Sequence, residues 1–352
     1  IVAEAGLQCV DVAEAEADGE NDVPMAASHP VLNAAQVALW QLLQQADAAY
    51  KQALVAYGKY AENAEAQGTE PHLPQPVPVP VTLVTLGPLT NLAGLLQWVS
   101  LPENISQAHL LGLLSKIVVM GGSANGKGNV TRTAEFNVMG DAEAAQLVFA
   151  YAWEAAIYRP VNENNKSLAD AEHAFAMRAP RVIVVSWDLC KEHPLPFPFF
   201  DGILRVDHKR DLVPPAAHAH GEDCSSCAEY HKTLSSDGLS RLELFLRSVC
   251  WSPFVKQREV FGAADNKRGG EGAVICDCLA VAIAMDDSLI AESIPVHVDV
   301  ELLGSLTRGQ TVVDFGHCYD GVARVRNVEW VTKVHLEGYE ASWRRMMGGT
   351  TI

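Results

Sequence analysis

KIVVMGGSANGKGNVTRTAEFNVMGD, residues 116–141, carries more fold and site information than any other stretch of the chain. Ile117-Val118-Val119-Met120 is an unbroken apolar run, the pattern of a strand buried on both faces. Gly121 and Gly122 follow at once, where a backbone must turn or approach something closely. A polar loop then delivers Asn129, Glu135 and Asn137, and Asp141 reads as the N-cap of a helix over Ala142–Phe149. Strand, glycine turn, polar cluster and helix in this order predict a ligand site at the carboxyl end of a strand in an open α/β sheet.

Outward from this stretch, the same alternation recurs. Val81–Val84 predicts a core strand running into Leu86-Gly87-Pro88-Leu89-Thr90-Asn91, with Pro88 in the first helical turn and Leu89, Leu92, Leu95 and Leu96 facing inward. Arg181–Trp187 predicts another buried strand, with Asp188 at its end. Ala273–Met285 reads as an apolar helix or a strand–helix unit carrying Asp277, and Ile294–Leu302 and Val322–Leu336 alternate as strands. Strands separated by helices predict an open, mostly parallel, doubly wound sheet.

Between Asn33 and about Ala66 there is no proline. Val37, Trp40, Leu43, Ala46, Tyr50, Leu54, Tyr57 and Tyr60 recur at helical spacing, which predicts a long helix or helical hairpin packing by one stripe. GTEPHLPQPVPVP then favours extended backbone and reads as a linker back to the core. Residues 151–179 read as helix, 190–222 as irregular and 240–249 as an amphipathic helix. The whole is expected to be a single domain over 1–352, with insertions at about 34–78, 151–178 and 206–235.

Composition narrows the partners. A net charge of −17 argues against nucleic acid and anionic membrane. No apolar run reaches the roughly 20 residues of a transmembrane helix. Ile1–Val10 lacks the basic and apolar regions of a signal peptide. The cysteines follow no small-secreted-protein rhythm, so an intracellular, chiefly cytoplasmic location with reduced thiols is expected, an organelle being left open. His218, His220, Cys224, Cys227 and His231 have a spacing that could bind Zn²⁺ with four of the five, a solvated loop being the alternative.

Three blocks together carry a resemblance. Leu83–Asn91 (LVTLGPLTN), Val118–Ala145 and the late pair Asp277-Cys278-Leu279-Ala280-Val281-Ala282 with Thr307–Asp314 (TRGQTVVD) resemble the inosine–uridine-preferring nucleoside hydrolases, in the same order and at similar separation. Val184–His193 resembles the strand after the family's central helix. The resemblance runs from about Asn21 to Leu336.

It implies an open α/β fold that hydrolyses the N-glycosidic bond of ribonucleosides with one Ca²⁺ in the pocket. Asn129, Glu135 and Asn137 match the family's positions for the ribose hydroxyls, and Met120 the apolar residue near the sugar. Asp277 matches a calcium carboxylate, and Leu86 falls where a backbone carbonyl completes the shell. Cys276 stands where many members carry a histidine that protonates the leaving group, for which a neutral thiol is a poor substitute.

The family's Asp-x-Asp-x-Gly-x-Asp-Asp loop and a His-Gly-x-x-Gly loop have no match. The chain, which opens on Ile1 rather than Met, is therefore expected to begin after the first family strand, by processing or as a fragment. One carboxylate and one carbonyl fall short of the ~6–8 oxygens that Ca²⁺ takes, so weak or absent metal binding is expected of this chain alone. Three functional readings follow: a ribonucleoside hydrolase, a non-catalytic relative serving in a larger assembly, or a ribose or nucleoside sensor. A homo-oligomer or a place in a larger complex is expected from the resemblance.

Overall fold

The computed structural model describes residues 32–77, 79–151, 179–204, 245, 272–316 and 326–346. The His/Cys group at 218–231, the insertions at 151–178 and 206–235, and all but one residue of the helix expected over 240–249 lie outside them. So do residues 1–31. The described residues fall in one compact unit, Leu32–Ile352.

Its frame is a five-stranded sheet of β1 (Val81–Thr85), β2 (Leu114–Met120), β3 (Arg181–Val185), β9 (Val328–Val334) and β6 (Ile290–Val296), hydrogen-bonded in that order. The first four run parallel and β6 is antiparallel to β9. Two short antiparallel pairs lie outside this sheet: β4 (Leu195–Pro196) with β5 (Gly272–Ala273), and β7 (Val298–Val300) with β8 (Thr311–Val313). The segment expected as one strand over Ile294–Leu302 is thus divided at His297 between two sheets.

Alternation along each strand separates two cores. Ile117 and Val119 of β2, Val182 and Val184 of β3, and Val328 and Trp330 of β9 bury against one layer. That layer contains α1 (Ala34–Ala66), α2 (Thr90–Val99) and α4 (Ala142–Ala150). Val118, Met120, Ile183, Val185, Val331 and Val334 point the other way. They meet α5 (Trp187–Glu192), α6 (Phe197–Leu204), α7 (Cys276–Met285) and α8 (Leu336–Met346). Helices on both faces make the sheet doubly wound, and its central strands apolar on both sides for that reason.

Helix α1 is one continuous helix rather than a hairpin. Asn33 caps it, accepting from Gln36 N at 3.0 Å while Gln36 Oε1 accepts from Asn33 N at 2.8 Å, a reciprocal capping box. The buried stripe is shorter than its periodicity predicts. Trp40 and Leu43 are buried, with the Trp40 ring edge-on to Trp98 at 5.4 Å, whereas Val37 is exposed and Tyr50, Leu54, Tyr57 and Tyr60 are only half-buried. Helical spacing reports which residues share a face, and only the first turns of that face have a neighbour to cover them.

Two further expectations shift. Pro88 precedes α2, which starts at Thr90 after the N-cap Leu89. Residues 195–204, expected to be irregular, form β4 and α6, with Phe197, Phe199 and Phe200 buried against α8. Proline discourages a helix interior, but Pro198 sits in the first turn of α6, where its missing N–H costs nothing.

Leu43 and Leu42 are adjacent on α1, the first fully buried and the second 57% exposed. Leu43→Ala is expected to lower unfolding free energy by about 2–5 kcal/mol. Leu42→Ala should stay within roughly 0.5 kcal/mol of the parent. Paired denaturant titrations check the contrast, and equal effects would mean that α1 does not pack as described.

Candidate functional site

Because β1, β2 and β3 are parallel and in register, their carboxyl ends come out along one edge of the sheet. Leu86, Gly121 and Ser186 leave the strands there. Positive charge is held at the other edge, where Lys116 and Arg181 both reach Asp287, and Arg181 also pairs with Glu329 at 2.8 Å. The emerging turn after β2 is locked to its neighbours: Gly121 N donates to Val185 O and Trp187 N to Gly122 O. Gly122 has φ +78°, and an added Cβ would also press on Thr311. That is a left-handed position closed to other residues by both backbone and space.

The backbone donors of this turn are met by side chains from three separate elements. Glu135 Oε2 accepts from Gly122 N at 3.0 Å. Thr311 Oγ1 accepts from Ser123 N at 2.9 Å and donates to Ser123 O at 2.7 Å. Asp188 Oδ2 accepts from Ala124 N at 2.8 Å, Asn125 N at 3.4 Å and Ser123 Oγ at 2.9 Å, while Lys191 stands 3.3 Å from its other oxygen. Asp188 and Glu135 are both buried, and buried carboxylates persist when their lone pairs are filled in this way.

Glu135 also caps α3 (Phe136–Gly140), its Oε2 accepting from Asn137 N at 2.9 Å and Val138 N at 3.1 Å. One carboxylate oxygen therefore carries the structure. The other, Oε1, makes no hydrogen bond among the described residues. Asn137 donates through Nδ2 to Met120 O and Met120 Sδ, both at 3.1 Å, which leaves its Oδ1 uncommitted among the described residues. Asn129, exposed, turns Oδ1 to Phe136 N at 2.8 Å between the other two residues and keeps Nδ2 free of described partners. The structure thus brings Met120, Asn129, Glu135 and Asn137 together. Asp141 caps α4 through Ala144 N and accepts from Thr90 Oγ1 at 2.6 Å, which ties α4 to the start of α2.

Asp277 and Leu86 form a second group. Both line one wall of a groove of about 710 Å³ that runs on between α7 and α8 past Val281, Met285 and Trp343. Most of the groove is apolar, and the group of Asn129, Glu135 and Asn137 does not line it. Partial desolvation of its carboxyl raises Asp277 above its ordinary value, although the residue as a whole is exposed. Cys190 is 2% exposed in the layer under β2 and β3, and Cys276, the first residue of α7, is half-buried against the same layer. The neighbouring Cys276 side chain first, and burial second, hold the Cys190 thiol well above its ordinary range.

Among the described residues no three His, Cys, Asp or Glu side chains converge as a metal site. Asp277 with the Leu86 carbonyl falls well short of the ~6–8 oxygens of a calcium shell, so these residues do not make one by themselves. No helix among the described residues is long and apolar enough to cross a membrane.

Sequence reading finds the Asn129–Glu135–Asn137 group but misses what holds it. By sequence position alone, Asp188 and His193, just past the strand expected over Arg181–Trp187, would line the pocket mouth. Asp188 instead fastens the turn, while His193 accepts from Val334 N at 3.5 Å, on the last residue of β9. Thr311 has no local signal at all, because its partner Ser123 is remote in sequence.

The raised Asp277 carboxyl fixes a sign for stability. A folded pKa above the unfolded value means that charging the group opposes folding, so its contribution is most favourable at low pH and is lost as pH rises through the folded pKa. Asp277→Asn is therefore expected to match or exceed the parent's stability at neutral pH, with the excess disappearing below the ordinary carboxylate range. Thermal unfolding at several pH values checks this, and a neutral-pH loss that closes on acidification would reverse the assignment.

The profile described as "Inosine-uridine preferring nucleoside hydrolase" matches residues 18–341. Over 72 residues the chain is 51% identical to a protein of Salmonella paratyphi B named non-specific ribonucleoside hydrolase RihC, and 50% identical to the protein of that name from Escherichia coli O127:H6. Those matches cover 20% of this chain and 21% of each relative, so the matched segment spans about a fifth of their length. Among solved structures, an inosine-guanosine nucleoside hydrolase superposes with a TM-score of 0.51 at 22% identity, covering 78% of this chain and 65% of the other, a likeness of fold. The chain belongs to the inosine-uridine preferring nucleoside hydrolase family.

Proposed function

We propose that this chain supplies the ribose-holding part of an enzyme that hydrolyses the N-glycosidic bond of ribonucleosides. The observation that carries the reading is the division of labour in Glu135: a buried carboxylate with one oxygen fixed by three backbone N–H groups and the other uncommitted among the described residues. A carboxylate held so rigidly is preorganised for a ligand hydroxyl.

The neighbouring groups extend the same chemistry. A ribose hydroxyl can donate to Glu135 Oε1 and another to Asn137 Oδ1, while Asn129 Nδ2 can donate to a hydroxyl oxygen. Glycosidic cleavage passes through an oxocarbenium-like state, in which positive charge builds on the sugar ring. A fixed negative oxygen against that ring stabilises the transition state more than the ground state, and needs no reorganisation at the moment of reaction. Met120 supports the grip from below, with its carbonyl and sulfur both engaged by Asn137. Family membership and the ribonucleoside hydrolases of Salmonella and Escherichia support the substrate class.

The test is turnover of uridine and inosine, read as free ribose, with Ca²⁺ supplied and with it chelated. Hydrolysis by the parent is expected, and Glu135→Gln, which keeps the shape but removes the charge, should cost on the order of 10²–10³ in kcat. An iminosugar cation bearing the ribose hydroxyls should bind the parent more tightly than ribose and lose that advantage in Glu135→Gln. A folded parent that neither turns over nucleosides nor binds the iminosugar would sink the proposal.

A further inference from the structure

One short connection touches both partners of the hydrogen bond between Gly122 and Glu135. Strands β7 and β8 are joined through Glu301–Gln310, closed by Glu301 N donating to Gln310 O at 2.9 Å and Gly309 N to Glu301 O at 2.7 Å. On one side this hairpin meets the turn after β2. Thr311, 2% exposed, engages both backbone groups of Ser123 with one hydroxyl, accepting from its N and donating to its O. Its methyl lies against Gly122, where an added Cβ would fall 3.0 Å from Thr311 Cγ2.

On the other side the hairpin meets the segment that carries Glu135. Thr133 Oγ1 donates to Leu306 O at 3.4 Å. Gly309, with φ +79°, has no room for a Cβ, which would fall 2.9 Å from Met139 Sδ and 3.2 Å from Ala134 Cβ. Ala134 directly precedes Glu135, and Met139 N donates to Glu135 O at 2.8 Å. Arg308 adds a bidentate pair with Glu143 on α4, at 2.7 and 2.8 Å.

The Gly122–Ser123 peptide is therefore pinned at both ends, Gly122 O by Trp187 N and Ser123 N by Thr311 Oγ1. Removing the Thr311 hydroxyl leaves a buried N–H without an acceptor, and the peptide must rotate to find one. Such a rotation carries Gly122 with it, and Gly122 N is one of the three backbone donors that fix Glu135 Oε2. We propose that Thr311 is a positioning residue for sugar binding, acting through Gly122 to hold Glu135 where its Oε1 meets a ribose hydroxyl. The inference rests on the ribose-holding reading of Glu135 and adds the residue that sets it. Misplacing such a group by about 1 Å can cost on the order of 100-fold.

The experiment titrates the folded full chain calorimetrically with an iminosugar cation bearing the ribose hydroxyls. Thr311→Val, which keeps the shape and removes the hydroxyl, is expected to bind it roughly 10- to 100-fold more weakly. Thr311→Ser, which keeps the hydroxyl, should recover most of that loss. Glu143→Gln weakens the hairpin's hold on α4 without touching the Gly122–Glu135 bond, and should bind like the parent. Combination with Glu135→Gln separates positioning from plain stability: in that background Thr311→Val should cause little further loss, because the group it acts through is gone. Should Thr311→Val not fold, Thr311→Ala is the second variant, with a loss in the same direction. A parent that does not bind the iminosugar sinks the ribose-holding reading and this inference with it. A parent that binds, with a folded Val or Ala variant binding equally well, overturns the inference alone, as does a loss that persists in full in the Glu135→Gln background.

Discussion

Consecutive backbone N–H groups after β2 have no strand to pair with, and the rest of the site depends on how they are satisfied. Gly122 donates to Glu135, Ser123 to Thr311, and Ala124 and Asn125 to Asp188. Each buried donor left unpaired would cost about 1–3 kcal/mol. The turn is therefore stable in this shape only when α3, β8 and α5 are all in place, and it couples three elements that are far apart in the chain. Two of the three acceptors are carboxylates, whose bonds to N–H groups are stronger than those of neutral oxygens.

That constraint explains why the binding chemistry sits where it does. Glu135 cannot move without releasing Gly122 and the first turn of α3, so its second oxygen is presented from a fixed point. Asn137 is fixed in the same way by the carbonyl and sulfur of Met120, the last residue of β2. A ligand group held by both would be read by the end of the strand and the start of the helix at once. Parallel strands gather such ends at one edge of the sheet, which is how an open α/β fold provides several anchors within one crevice.

The groove between α7 and α8 is a different kind of surface. Its walls are largely apolar, with Leu86 and Asp277 on its rim. Partial desolvation of the Asp277 carboxyl raises its proton affinity.

The sequence alone determined the local units: the Ile117–Met120 strand, the glycine pair, the Asp141 cap, α1, and the placing of Asn129, Glu135 and Asn137 on one short loop. These depend on periodicity, on backbone freedom at glycine and on side chains that cap the helix beginning beside them, all of which act within a few residues. Recognition of the family came from the same short blocks. Tertiary structure alone decided that only the first turns of α1 would be covered, that residues 195–204 would form a paired strand and a helix, and that His193 would serve β9 instead of the site. It also decided the partners of Asp188 and Thr311. Burial and long-range hydrogen bonds depend on which surfaces meet, and nothing in the spacing of Asp188 or Thr311 announces that each will end on the same turn.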